Sequence, residues 1–106
     1  MFLDVSRIST HVFFGKTELP VPEIERIGSL ILMIYFNDFG THRLPHFHVD
    51  SPDGRAVYAI ADLVRLAGSL RARDEAKVLD WAAASRQRLA AAWNRCNPDH
   101  PIEIEE

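Results

Sequence analysis

The sequence predicts an α+β domain: a small antiparallel sheet of three to four strands, followed by two C-terminal helices packed on one face. Three observations carry this. Apolar or alternating runs separated by turn residues fill positions 29–61, apolar stripes at helical spacing fill 72–96, and the strands all precede the helices. The chain has 106 residues, enough for one domain and too few for two. A single domain is expected over 28–97, with an N-terminal arm or short strand extension at 1–27 and an acidic tail at 98–106.

The first segment is the least patterned. Val12-Phe13-Phe14 has the character of a short strand, and Pro20 and Pro22 interrupt regular structure because each lacks a backbone donor. Ser29 to Asn37 gives the strongest strand signal. It lacks polar alternation, which predicts a central strand covered on both faces. His46-Phe47-His48-Val49-Asp50 alternates instead, the period of a half-buried strand. Ser51-Pro52-Asp53-Gly54 reads as a turn, with proline presetting φ and glycine accepting the left-handed region, so Arg55 to Ala61 should return as a hairpin. One more short strand ending at Gly68 is expected within Asp62 to Leu70.

Helical spacing begins after Leu70. Ala72, Ala76, Leu79 and Ala83 form one apolar stripe, and Leu89, Ala92, Trp93 and Cys96 form another. Extending the first would place Arg86 on an apolar face, so two helices are expected, breaking near Ser85, which could cap the second. Asn97-Pro98 ends that helix. Trp81 and Trp93 are expected as core or interface anchors. The tail from Pro101 onward is expected to fray.

Composition excludes several classes of function. The longest unbroken apolar run, Leu30 to Phe36, has seven residues, against about 20 for a membrane-spanning helix. No basic, then apolar, leader opens the chain, so a cytoplasmic location and no membrane partner are expected. One cysteine, Cys96, allows no internal disulfide framework and no multi-cysteine zinc site. The net charge of −3 argues against a surface that grips nucleic acid all round. Between Arg55 and Arg95, however, eight basic residues face four acidic ones. That local excess suits either phosphate contacts or a solvated, salt-bridged helix surface.

The chemistry-bearing residues cluster before the hairpin. His42, His46 and His48 fall within seven residues. On a strand, positions 46 and 48 share a face about 6.5–7 Å apart. Two imidazoles so placed could share acid–base work, hold a phosphate, or begin a metal site. His46 and His48 are therefore the candidate catalytic pair. Arg43 and Arg55 are candidate phosphate cations, and Tyr35, Asn37 and Asp38 candidate substrate contacts. No cofactor is expected. If a metal is held, His42, His46, His48 and Asp38 are its ligands, with Asp50 at the turn end a further candidate.

Three blocks, Pro22-Glu23-Ile24-Glu25-Arg26-Ile27-Gly28, Tyr35-Phe36-Asn37-Asp38 and Pro45-His46-Phe47-His48-Val49, give the chain a family likeness. In order and spacing it resembles the domain-of-unknown-function 4160 family of small bacterial proteins. Val78-Leu79-Asp80-Trp81 and the stretch from Arg86 to Trp93 are similar to that family's helical end. The chain departs from it at Leu44, where a second proline is usual, and at Ser85-Arg86-Gln87-Arg88, which is more basic. The resemblance covers about 22–97. It implies a small partner of the domain-of-unknown-function 2442 type, encoded alongside in an arrangement like a type II toxin–antitoxin pair, with this chain as the toxin component.

Three functional expectations follow. The first is a toxin component acting on RNA through the His-X-His strand, with ribonuclease-like activity and a homodimer allowed. The second is a non-enzymatic module that docks a small partner protein, the histidine strand serving as its edge. The third is a metal-binding protein that uses the histidine cluster.

Overall fold

The computed structural model describes residues 23–36, 38–40 and 43–104. Of the arm expected at 1–27, residues 1–22, including the strand expected at Val12-Phe13-Phe14, lie outside the described residues, as do Asn37 and His42. Among the described residues five strands run in chain order: β1 (Glu23–Ile27), β2 (Leu30–Met33), β3 (His46–Ser51), β4 (Gly54–Ala59) and β5 (Arg65–Gly68). Helices α1 (Ala72–Ala84) and α2 (Arg86–Cys96) follow. The strands form one antiparallel sheet in the order β1-β2-β3-β4-β5, each paired with its sequence neighbour. The class is α+β, with five strands where three to four were expected. The additional strand is β1, from the end of the segment read as an arm or strand extension.

Side-chain alternation decides which face of the sheet is dry. Leu30, Leu32 and Ile34, then Phe47 and Val49, then Ala56, Tyr58 and Ile60 recur every second residue and are all buried. They form one cluster with Val78 and Ala82 of α1 and with Leu89, Ala92, Trp93 and Cys96 of α2. The α2 stripe is the one the spacing predicts. The α1 stripe is not: Ala72, Ala76 and Ala83 are exposed, and the helix is turned so that Val78 and Ala82 face inward. Alanines gave the first reading little discrimination, because they suit either face of a helix. Trp93 is fully buried, whereas Trp81 is half-buried with the Arg88 guanidinium 5.6 Å above its ring.

The run from Ser29 to Asn37 contributes a strand only as far as Met33. Ile34 remains fully buried, and the chain then leaves the sheet at Tyr35. The break between the helices falls at Ser85 as expected, but the serine hydroxyl makes no capping bond. Its backbone bridges them instead, the N–H donating to Ala82 O at 3.0 Å and the carbonyl accepting from Leu89 N–H at 2.9 Å. The tail does not fray over its described part. Asn94 acts as a surrogate strand, donating Nδ2–H to Ile102 O at 2.9 Å and accepting Ile102 N–H at 2.8 Å. Gln87 donates to Ile104 O at 2.8 Å, and Ile102 and Ile104 pack on the core.

Glycines act at the turns, though not where the sequence suggested. Gly54 stays out of the left-handed region. Its turn is held by Ser51, whose Oγ accepts Asp53 N–H at 3.2 Å and donates to Gly54 O at 3.0 Å. Among the described residues, Gly28 and Gly68 are the glycines with positive φ, +59° and +72°. A Cβ at Gly28 would meet nothing, but one at Gly68 would lie 2.1 Å from Arg55 O. Gly68→Ala is therefore expected to destabilise the fold by about 3 kcal/mol, backbone strain adding to overlap. Gly28→Ala should cost only about 1 kcal/mol, for strain alone. Urea unfolding of both variants checks the order, and equal losses would contradict it.

Under the helices, Tyr58 donates its hydroxyl to Glu75 of α1 at 2.6 Å. Burial first, and then that bond, push the phenol well above its ordinary value of 10. A proton retained by the folded state after the unfolded state has lost it stabilises the fold below pH 10, and that contribution disappears as pH rises further. Tyr58→Phe is expected to cost about 1 kcal/mol at neutral pH. It should also flatten the fall in stability above pH 10, as read by unfolding titrations of both proteins.

Candidate functional site

The site lies where β2 gives way to the loop that returns as β3. Two things follow from β3 beginning at His46. The side chains at 46 and 48 leave the strand on the same side, away from Phe47 and Val49. The loop residue Asp38 then reaches across to both of them. Asp38 Oδ2 lies 2.9 Å from His46 Nε2 and 2.8 Å from His48 Nε2, so one carboxylate oxygen meets two imidazoles. The rings sit 5.2 Å apart in an edge-on arrangement.

The two histidines occupy different surroundings. His46 is 1% exposed, with its ring centre 5.2 Å from that of Trp93 and its Nδ1 2.7 Å from Leu44 O. A carbonyl can only accept, so Nδ1 carries the hydrogen and donates. His48 is 24% exposed, and the Tyr35 ring packs edge-on against it at 4.5 Å. The wet face expected for both positions belongs to His48.

His48 opens onto a cavity of about 190 Å³ that Tyr35, Asp50, Arg55, Val57 and Ala67 also line. Pairing in register brings them together: Met33 faces His48, His48 faces Val57, Val57 faces Ala67, and Asp50 faces Arg55. Arg55 Nε is 3.2 Å from Asp50 Oδ1, and the arginine is 83% exposed. An ion pair that open contributes little, which leaves the guanidinium able to turn to another anion. Burial first, and the Asp50 carboxylate second, push the Tyr35 phenol up from its ordinary value, so it remains a hydroxyl at neutral pH. At neutral pH it offers a hydrogen-bond donor and acceptor, not a phenolate.

Two sequence candidates stand outside the aspartate–histidine cluster. Arg43 lies 5.9 Å above the Phe39 ring and does not line the cavity. Asp50, offered as a ligand, lines the cavity but pairs with Arg55. The basic excess is also partly structural. Arg55, Arg65, Arg71 and Arg88 each pair with a carboxylate, and Arg88 additionally donates to Ile24 O, tying β1 to α2.

The residue that the sequence reading missed is Asn97. It was read only as the end of α2, yet its side chain holds the loop that carries Asp38. Its Oδ1 accepts Asp38 N–H at 2.6 Å, and its Nδ2 donates to Tyr35 O at 3.1 Å. It is 2% exposed. Phe39 completes the clamp, stacking on His100 at 3.9 Å, while Trp93 donates Nε1–H to His100 O at 2.6 Å. An asparagine before a proline signals a helix end, and nothing local signals a partner 59 residues away.

With this geometry in view, comparison with known proteins adds one decisive match. The family model described as a domain of unknown function (DUF4160) aligns with residues 29–94, more than half of the chain. The chain belongs to that family. No curated protein and no solved structure matches it. The DUF4160 match takes in Asp38, His46, His48 and Arg55 and stops short of Asn97. No described helix is long and apolar enough to cross a membrane.

Asn97→Ala is expected to cost about 2–3 kcal/mol, since it leaves the partly buried Asp38 N–H and Tyr35 carbonyl without this partner. Chemical unfolding checks this, and a loss below about 0.5 kcal/mol, the size usual for a surface change, would contradict it.

Proposed function

We propose that this DUF4160 protein is the toxin component of a two-protein toxin–antitoxin pair, and that it cleaves RNA at the centre formed by Asp38, His46 and His48. The observation that carries this reading is the placement of His48. It is held by a carboxylate on one side and opens on the other to a cavity shared with Arg55 and Tyr35. Phosphodiester cleavage needs those parts: a group that activates the attacking hydroxyl, a cation for the phosphate, and a donor for its oxygens. In this scheme the centre takes the proton of a ribose 2′-hydroxyl as its oxygen bonds to phosphorus. The bond to the 5′-oxygen breaks, and that oxygen takes a proton from water. Arg55 exchanges Asp50 for the phosphate, and the Tyr35 hydroxyl donates to a non-bridging oxygen. The partner, a small protein of the DUF2442 type, follows from the family resemblance.

Burial divides the roles of the expected catalytic pair. His48 meets the substrate, and His46, beneath the surface, positions Asp38. The docking alternative loses its proposed edge, because β3 is paired on both sides and the sheet ends at β1 and β5.

Expression in a bacterium tests the reading. The wild type is expected to arrest growth, co-expression of the neighbouring small protein to relieve the arrest, and His48→Ala, equally expressed and folded, to leave growth normal. With the purified chain, Arg55→Ala should slow RNA cleavage roughly 100-fold, the scale of losing one transition-state contact. Arrest by His48→Ala as strong as by wild type would remove the centre from the mechanism. A stable complex with the neighbour and no arrest by the wild type would make the chain a docking module.

A further inference from the structure

We infer that Asp38, His46 and His48 bind one divalent transition-metal ion, through Asp38 Oδ2 and the two Nε2 atoms. His46 gives its Nδ1–H to the Leu44 carbonyl, which fixes the ring with Nε2 aimed at Asp38 Oδ2, 2.9 Å away. A cation on this edge would take that nitrogen and that oxygen as two ligands. Fixing a histidine by donating its far nitrogen to a backbone carbonyl is also how proteins commonly aim imidazoles at metals.

The carboxylate–imidazole distances agree with a shared ion. Ligands held about 2.1 Å from a metal lie about 3 Å apart when they subtend a right angle there. Asp38 Oδ2 stands 2.9 and 2.8 Å from the two nitrogens. All three donor atoms fall within 4.8 Å of one another, a spread that a small inward turn of the partly exposed His48 ring closes on binding. The arrangement is also built before any ion arrives. Asn97 and the Phe39–His100 stack hold the loop of Asp38, Trp93 packs beside His46, and Tyr35 packs beside His48. Two imidazoles and one carboxylate favour zinc, manganese, cobalt or ferrous iron over the hard cations magnesium and calcium. Three protein ligands leave coordination positions for water or substrate. On the RNA-cleavage reading, the ion would lower the proton affinity of the attacking oxygen. For that role the inference rests on the proposed function, but binding is measured without RNA or growth, so the two fail separately.

The test uses the purified full chain, stripped with a chelator and titrated with Zn²⁺ and with Co²⁺. Calorimetry should show one ion per chain, and Co²⁺ should give visible absorption bands of nitrogen–oxygen coordination. Saturating Zn²⁺ should raise Tm by about 5 °C or more. Asp38→Asn, nearly isosteric, should weaken binding about 100-fold or more while leaving the far-ultraviolet circular dichroism unchanged. His48→Ala should do the same, serving as a second variant should Asp38→Asn fail to fold. No stoichiometric binding by the wild type, or binding that persists undiminished in both variants, would overturn the site.

Discussion

The side chain of Asn97 is the point on which the candidate centre depends. A loop leaving the end of a strand has no strand partner for its backbone, and any polar group it buries must find one elsewhere. Here a single amide, fixed at the end of α2, accepts the N–H of Asp38 and donates to the carbonyl of Tyr35. Those two residues lie on either side of the turn into the site. The helix in turn is anchored by Leu89, Ala92, Trp93 and Cys96 in the core, so the rigidity of the hydrophobic interior passes through one amide to a carboxylate. Placing Asp38 thus depends on tertiary packing more than on any preference of the loop itself.

The same dependence explains what was legible in the sequence. Period-two alternation at His46–Val49 and the turn at Ser51–Gly54 are local signals, and the hairpin they announce is present. The α2 stripe, built of large side chains, was legible, whereas the alanine-rich α1 stripe was not. Gathering His46, His48 and Asp38 near one another needed only spacing and a strand. That both rings meet one oxygen, that His46 is buried and that Arg43 goes elsewhere to Phe39 are products of long-range packing. The tail was misread for a related reason: its acidic composition suggests solvent, but Ile102 and Ile104 supply the apolar contacts and Asn94 supplies the backbone partners.

Burial also sorts the polar groups into those turned inward and those that solvent reaches. Asn97 and Tyr58 are nearly inaccessible and direct their hydrogen bonds to the fold, and His46, equally buried, divides its own between Leu44 and Asp38. His48, Tyr35 and Arg55 border the cavity and keep part of their surface open. The boundary between the two sets runs through Asp38, which is bonded to a buried and an accessible histidine at once. A carboxylate in that position transmits the order of the core to a group that solvent can reach.

Asn97 and His100, which hold the Asp38 loop, stand beyond the stretch that marks family membership, residues 29–94. The stretch that marks the family and the residues that hold Asp38 in place are thus partly different pieces of this chain. A chain sharing every residue from 29 to 94 but lacking an asparagine at the end of α2 would keep the aspartate and the two histidines without the amide that aligns them.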